Sequence, residues 1–474
     1  MTNKSKSVSD ILKTIKDEEI DFVDFTFTDS TGKFHHTSYR STSVGKHELE
    51  EGVNFDGSSI EGWKDIHESD MTLKPDLSSA FINPFTSHST LVFICDVIDT
   101  ATSEIYEKDP RNIARKAEKY LKSTAIADKA YFGPELEFFI FDDIRFSNDP
   151  HNTSFYIDCE EGGYNSNREY NGGNRGHRPG VQGGYFPLSP VDSSNDIRAE
   201  IALVAESIGI KTNLHHHEVA EGQCEIGFEY DRIVESGDNV QKFKYVTKNV
   251  CASFGKSATF MPKPLFGDNG SGMHTHQSIW KEAANLFYEK GNYADLSETC
   301  LYYIGGIIKH AKAINAFSNS STNSYKRLVP GFEAPVKLAY SAKNRSASIR
   351  IPHVYSANAK RIEARFPDPS CNSYLTFAAM LMAGIDGIKN KIHPGAAVDE
   401  NLYDLDEHSL NQIPSVASSL KEALSHLDQN RKFLTIGGVF TDKMIDSYIG
   451  IKMREAVELE TRPHPIEFKM YYSC

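Results

Sequence analysis

Apolar and polar positions divide the chain into a sheet-rich beginning and a longer mixed remainder. A short amphipathic helix is predicted over about residues 8–16, and the alternation in IDFVDFTFTD reads as a strand. The turn Ser30-Thr31-Gly32-Lys33 leads to a second strand, and LVFICDVID at 91–99 reads as another. These elements predict a small sheet-rich domain ending near residue 105. From Asp109-Pro110-Arg111 a helix is expected, with proline at its first position, where a missing N–H costs nothing. A larger α+β domain follows. Residues 150–195 are crowded with Gly, Asn and Pro, the composition of a functional loop or of a disordered insert. Their aromatics and arginines favour the loop. Internal repeats and coiled-coil heptads are not seen.

Composition narrows the function classes. At roughly 100–200 residues per domain, 474 residues imply about two to four domains. The formal net charge is -14, which argues against general nucleic-acid binding, because that needs a basic face. Anionic substrates stay open, since arginine clusters can bind them locally. No apolar run reaches the roughly 18 residues of a membrane span, and MTNKSKSVSD has no hydrophobic segment after its lysines. Cysteines at 95, 159, 224, 251, 300, 371 and 474 show no CxxC spacing. Reduced thiols in a cytoplasmic protein without membrane association are the expectation.

Candidate chemistry begins in YFGPELEFFIF. On a strand Glu135 and Glu137 face the same way, with Phe139 and Phe141 beyond them, and Leu136, Phe138 and Ile140 opposite. Two ionised carboxylates about 6.7 Å apart repel by roughly 2.5 kcal/mol at an effective dielectric of about 20. In so apolar a segment, a cation should stand opposite them. NLHHHEVAEGQCEIGF reads as two strands around a turn, with Glu218 on one arm and Glu225 on the other; alone it is equally a charged surface hairpin. The residue three after Glu218 is Glu221, which excludes the HExxH zinc motif. In NGSGMHTHQSIW, His274, His276, Ser278 and Trp280 share a face. In KRIEARFPDP, Arg361, Glu363 and Arg365 share one, as a salt-bridge ladder would.

Taken together, five glutamates and a histidine on strands suit hard divalent cations such as Mg²⁺ or Mn²⁺. Nearby arginines point to phosphoryl transfer, in which charge on the moving group must be offset. Common nucleotide motifs fail. Gly255-Lys256-Ser257 resembles a P-loop end, but the required earlier glycine is Val250, and NGSGMH gives only half of a GxGxxG pattern.

In this order, NFDGSSIEGW, GPELEFF, HHEVAEGQCEIGF, NGSGMHTHQS, YKRLVPGFEAP, NRSASIRIP and RIEARFPDP closely resemble the bacterial type I glutamine synthetases, over nearly the whole chain. The resemblance implies an α+β fold: an N-terminal β-grasp domain over 1–105, and over 106–474 a catalytic domain with an open, barrel-like antiparallel sheet and helices. It implies one metal site from Glu137, Glu218 and Glu225, and another from Glu135, His274 and Glu363. His276, Ser278, Lys360 and Arg361 would lie near ATP, with Arg345 and Arg350. Asn269, Gly270 and Arg327 would hold glutamate, with Glu333 and Arg365.

By the same resemblance, ATP phosphorylates the glutamate side chain and ammonia then displaces phosphate. Asp56, from a neighbouring subunit, would deprotonate ammonium in a site shared with Ser59, Tyr185 and Glu218. Glu333 would close over the intermediate, and Asp56, Glu333, Arg345 and Arg365 form the implied catalytic set. The family also implies two stacked hexamers and an adenylyltransferase acting on Tyr403. Two departures stand out. Glu61 occupies a position often held by glycine, and NLYDLDEHS lacks the usual PPEE-like sequence after the tyrosine. A γ-glutamyl–amine ligase and a non-catalytic structural relative are the rival readings.

Overall fold

The computed structural model describes residues 6–163, 176–332, 334–400, 402 and 407–474, with 407, 409 and 411 by backbone alone. Ser7 opens the helix Val8–Asp17 with a capping box to Asp10, and Ile11 turns into the core. The strand read from IDFVDFTFTD forms as Phe22–Thr28, antiparallel to Phe34–Arg40 and parallel to Thr90–Asp99. Asp70–Pro75 and Val53–Asp56 continue this first sheet on the far side of Thr90–Asp99. Val23, Phe25, Phe27, Leu73 and Phe93 supply its buried cluster, as period-two alternation requires.

The helix Pro110–Ser123 starts at Asp109, whose side chain caps the Arg111 N–H. It leads into the central strand of a second sheet, Lys129–Phe141. Gln223–Phe228 and then Thr212–His217 lie on one side of that strand. Met273–Lys281, Ile362–Ala364, Ile349–Arg350 and Tyr340–Ser341 follow on the other. One face of this sheet carries Leu136, Phe138, Ile226, Met273 and Ile362 into the main core. Helices Glu298–Ser318 and Ser373–Lys389 pack in that core at glycines, since a Cβ on Gly306 would fall 2.0 Å from the Ala383 carbonyl oxygen. The other face of the sheet is left for chemistry.

Arg111 ties the strand Thr90–Asp99 of the first sheet to the helix Ile233–Ser253. Its guanidinium reaches Asp76 at 2.7 Å, Asp96 at 2.8 Å and Asp238 at 2.9 Å, and the arginine is 3% exposed. Removing one member of so buried a set costs about 3–5 kcal/mol, because the remaining charges lose their partner.

Within 150–195, the stretch Asn152–Asp158 is a strand, not a loop, and pairs with Asp143–Asp149 as an exposed hairpin. Alternation is weak there because neither face is buried. Six of the seven cysteines are buried, and Cys474 is exposed. Among the described residues, no helix is long and apolar enough to cross a membrane.

Candidate active site

Strand register brings the acidic residues together. Glu137 of the central strand stands opposite Glu225, and Glu135 opposite His274. His276 stands opposite Glu363, and Glu363 opposite Arg350. Because side chains alternate, these residues all project from the face that the core leaves free. All of them except His276 line a cavity of roughly 190 Å³ together with Tyr185, Glu218, Asn269, Gly270, Arg327, Arg345 and Arg365.

Two groups of ligand atoms form within it. Glu135, His274 and Glu363 offer donors within 4.8 Å of one another, as do His216, Glu218 and Glu225. His274 Nδ1 lies 3.7 Å from both Glu135 Oε2 and Glu363 Oε1. His216 stands 3.6 Å from Glu218 and 3.5 Å from Glu225. Glu137 lies between the groups, 3.9 Å from His274, and its Oε2 accepts hydrogen bonds from Gln223 Nε2 and the Gly272 N–H, both at 2.9 Å.

The electrostatics say what is needed there. Burial, then the neighbouring carboxylates, pushes Glu137, Glu218 and Glu225 up to about 8. Glu135 is different: burial opposes its charge, but the imidazoles of His274 and His276 hold it well below the usual carboxylate range. Glu363 is also lowered, with His276 and His274 outweighing burial, and it pairs with Arg350 at 2.8 Å and Arg365 at 3.2 Å. Oxygen-rich ligand groups in which buried carboxylates repel one another fit hard divalent cations.

A second cleft, of roughly 670 Å³, adjoins the first and shares Glu135 and Glu225 with it. Tyr131 meets Tyr230 and Trp280 edge-on there, at 5.4 and 5.9 Å. His276, Ser278, Lys360 and Arg361 line the same space. Arg361 Nε reaches His276 Nδ1 at 3.2 Å, so the expected ladder is incomplete: Glu363 takes Arg350 and Arg365, and Arg361 turns to the histidine. This follows from the register, which sets Arg350 beside Glu363. On the opposite side of the first cavity, buried Arg327 donates to the carbonyls of Arg365, Phe366 and Pro367, which anchors its guanidinium beside Gly272.

Asp56 and Ser59 are not brought into this cavity. They lie exposed at the end of strand Val53–Asp56, where Asp56 accepts from the Ser58 N–H and from both serine hydroxyls. Glu333 and Tyr403 lie outside the described residues. Sequence reasoning passed over His216, Gln223, Tyr131 and Tyr230. His216 had a signal, since it precedes Glu218 by two in a strand; Gln223 had none.

This geometry can hold cations and oxyanions side by side next to a cleft of nucleotide size, the arrangement of a metal-dependent phosphoryl-transfer enzyme. Residues 107–471 match the family model described as glutamine synthetase, catalytic domain, and residues 19–100 match glutamine synthetase, beta-Grasp domain. The glutamine synthetase of Azospirillum brasilense is 57% identical over 467 residues, 98% of this chain and 99% of its own. That of Escherichia coli strain K12 is 57% identical over 468 residues, 98% and 100% of the two chains. Among solved structures, the cryoEM glutamine synthetase of Plasmodium falciparum superposes with a TM-score of 0.90 at 32% identity, over 98% of this chain and 99% of its own. A GmaS–ADP complex superposes with a TM-score of 0.81 at 26% identity, over 98% and 100%. The chain belongs to the glutamine synthetase family, and its fold is the α+β combination of a β-grasp domain with a curled half-barrel catalytic sheet.

Proposed function

We propose that this protein joins ammonia to the side-chain carboxylate of glutamate with ATP, by way of γ-glutamyl phosphate, giving glutamine, ADP and phosphate. The observation that carries this reading is the cavity where buried glutamates meet Arg327, Arg345, Arg350 and Arg365. Full-length relatives named glutamine synthetase support the activity, and the GmaS–ADP complex supports the nucleotide. The β-grasp domain is taken as 1–105 and the catalytic domain as 106–474. A cytoplasmic place suits cysteines that lack CxxC spacing, six of them buried.

Glu137, Glu218 and Glu225 would hold one divalent cation, with His216 at hand, and Glu135, His274 and Glu363 another. Mg²⁺ or Mn²⁺ bound there supplies positive charge that offsets the phosphates of ATP. His276, Ser278, Lys360 and Arg361 bind the nucleotide. Asn269, Gly270 and Arg327 orient glutamate so that a side-chain oxygen attacks the terminal phosphorus and the bond to ADP breaks. Arg345, Arg350 and Arg365 stabilise charge on the transferred group. Tyr185 and Glu218 hold ammonium with Ser59 and Asp56 of a neighbouring subunit, and Asp56 takes its proton. Ammonia nitrogen then bonds the acyl carbon as phosphate leaves, while Glu333 keeps water out.

Phosphate release with glutamate and a panel of amines tests the reading. It should require metal, equal the glutamine formed, and run fastest with ammonium. Preference for an organic amine would shift the assignment to a γ-glutamyl–amine ligase.

Two stacked hexamers follow from the same reading. Exposed Phe146 and Phe155 on the 143–158 hairpin, and Ile466, Phe468 and Tyr472 at the C-terminus, are apolar surface suited to burial against other copies. Since Asp56 and Glu363 would meet only across a subunit boundary, mixing inactive Asp56→Ala and Glu363→Ala subunits should restore activity. Random equimolar assembly pairs the two intact residues at about a quarter of the sites in a ring. No recovery after verified exchange would place Asp56 outside the site.

Tyr403 is read as a site for an adenylyltransferase. The segment just before it is tied to the loop that carries Arg345: Asn344 Nδ2 donates to the Glu400 carbonyl at 2.6 Å, and the Leu402 N–H donates to Ser346 Oγ at 3.2 Å. A bulky anion at 403 would strain that tie and displace Arg345. Intact-mass measurement should find the AMP adduct in protein from nitrogen-rich cells and lose it in Tyr403→Phe. An unmodified mass under both nitrogen regimes would remove this switch.

A further inference from the structure

His217 ends the strand Thr212–His217, and its side chain points away from the cavity that His216 faces. It is fully buried against Glu161, which is 2% exposed, with Nε2 2.8 Å from Glu161 Oε2. On the other side of the ring, Nδ1 lies 2.8 Å from the Gly184 carbonyl oxygen and 2.6 Å from that of Glu218. Carbonyl and carboxylate oxygens only accept, so both ring nitrogens donate and the imidazole carries its proton at each. Glu161 is equally committed. It accepts from the Gly222 N–H at 2.9 Å, and from the Ser193 N–H and hydroxyl at 2.8 and 2.7 Å.

What this pair grips is the backbone on either side of two residues of the proposed ammonium pocket. Gly184 precedes Tyr185, and the Glu218 carbonyl belongs to the glutamate that faces the cavity. The Gly184 N–H donates to the Val219 carbonyl at 2.9 Å and that of Phe186 to the His217 carbonyl at 3.4 Å, so residues 184–186 lie against 217–219. The fit leaves no room: a Cβ on Gly184 would fall 2.5 Å from the Glu218 carbonyl oxygen and 2.8 Å from His217 Cε1. A glycine is required there by close approach.

We infer that His217 and Glu161 form a buried positioning pair that fixes the Tyr185 segment against Glu218 and so sets the geometry of the ammonium pocket. The inference rests on the reading of Tyr185 and Glu218 as ammonium-binding residues. His217 touches no substrate; it acts through the backbone of the residues that do.

Steady-state kinetics separates this from a merely structural role. His217→Gln keeps a donor toward Glu161 and loses the one toward Gly184. It should raise KM for ammonium about tenfold, the worth of one charge-assisted hydrogen bond, with KM for glutamate and ATP within about twofold. His217→Asn, which places its amide N–H₂ near the position of Nδ1, should recover part of that loss. Gly184→Ala should reproduce the ammonium effect with the imidazole itself retained, by forcing its methyl against the Glu218 carbonyl and the ring, and it carries the test if the histidine variants do not fold. Equal changes in all three KM values, or a lower melting temperature with unchanged KM for ammonium, would overturn the inference. Tyr185→Phe checks the underlying reading separately. If it leaves KM for ammonium unchanged, the ammonium assignment fails, whatever His217 does.

Discussion

Glu137→Ala is expected to abolish glutamine formation, a loss of at least about a thousandfold of the kind seen when a preorganised charged group is removed from a transition state. Glu137 is 6% exposed, at the centre of the curled sheet. The protein holds one of its oxygens: Oε2 accepts from Gln223 Nε2 and the Gly272 N–H. Oε1 is turned toward the cavity, 3.9 Å from His274 Nε2. The side chain is thus fixed by donors on one oxygen and free to meet a cation with the other. Alanine removes both functions. Glu137→Gln separates them, since an amide oxygen can accept from the same two donors while the negative charge is lost. Both variants should fall together in turnover and in Mn²⁺ affinity measured calorimetrically, with Gln the less destabilised in thermal unfolding. Near-normal turnover in either would remove Glu137 from the metal assignment.

How the site was legible in the sequence follows from the range of each interaction. The pairing of Glu135 with Glu137 is local, fixed by two-residue alternation, and could be read directly. That Glu225 stands opposite Glu137 depends on register between strands far apart in sequence, and nothing local specifies it. The same gap explains Glu363. Its neighbours in sequence, Arg361 and Arg365, were read as one ladder, but Arg350 arrives from another strand and takes one place. His216 was hidden in a run of three histidines, of which neighbouring members face opposite ways: His216 faces the cavity and His217 the buried Glu161. The aromatic cleft wall combines Tyr131 and Trp280, from paired strands, with Tyr230 from a loop, so no window of sequence contains it. In the first sheet the reading was easier, because Val23, Phe25 and Phe27 alternate with polar residues in the sequence and join one apolar cluster.

Metal affinity is expected to climb steeply with pH, and the protein without metal to lose stability over the same range. Glu137, Glu218 and Glu225 sit at about 8 in the folded chain, against an ordinary glutamate's 4.5, chiefly through burial. A carboxyl raised on folding binds its proton more tightly when folded. The stability it contributes is therefore complete below about 4.5 and is lost as pH rises toward about 8. In the metal-free protein, unfolding temperature should fall from pH 6 to pH 8 and then level, as three crowded carboxyls are forced to ionise without a counter-charge. A cation must displace those protons to bind, so affinity should rise about tenfold per pH unit for each proton displaced. Displacing even one gives about a hundredfold between pH 6 and pH 8, and bound metal should flatten the stability slope. Because the carboxyls share one cavity they titrate as a set, and the protons released should be counted for the set. Calorimetry of Mn²⁺ binding at pH 7, in two buffers of different ionisation heat, gives that count directly. More than one proton released is the expected result. No release, with affinity flat across pH 6–8, would mean that these glutamates are already ionised without metal and that burial and crowding do not hold protons on them.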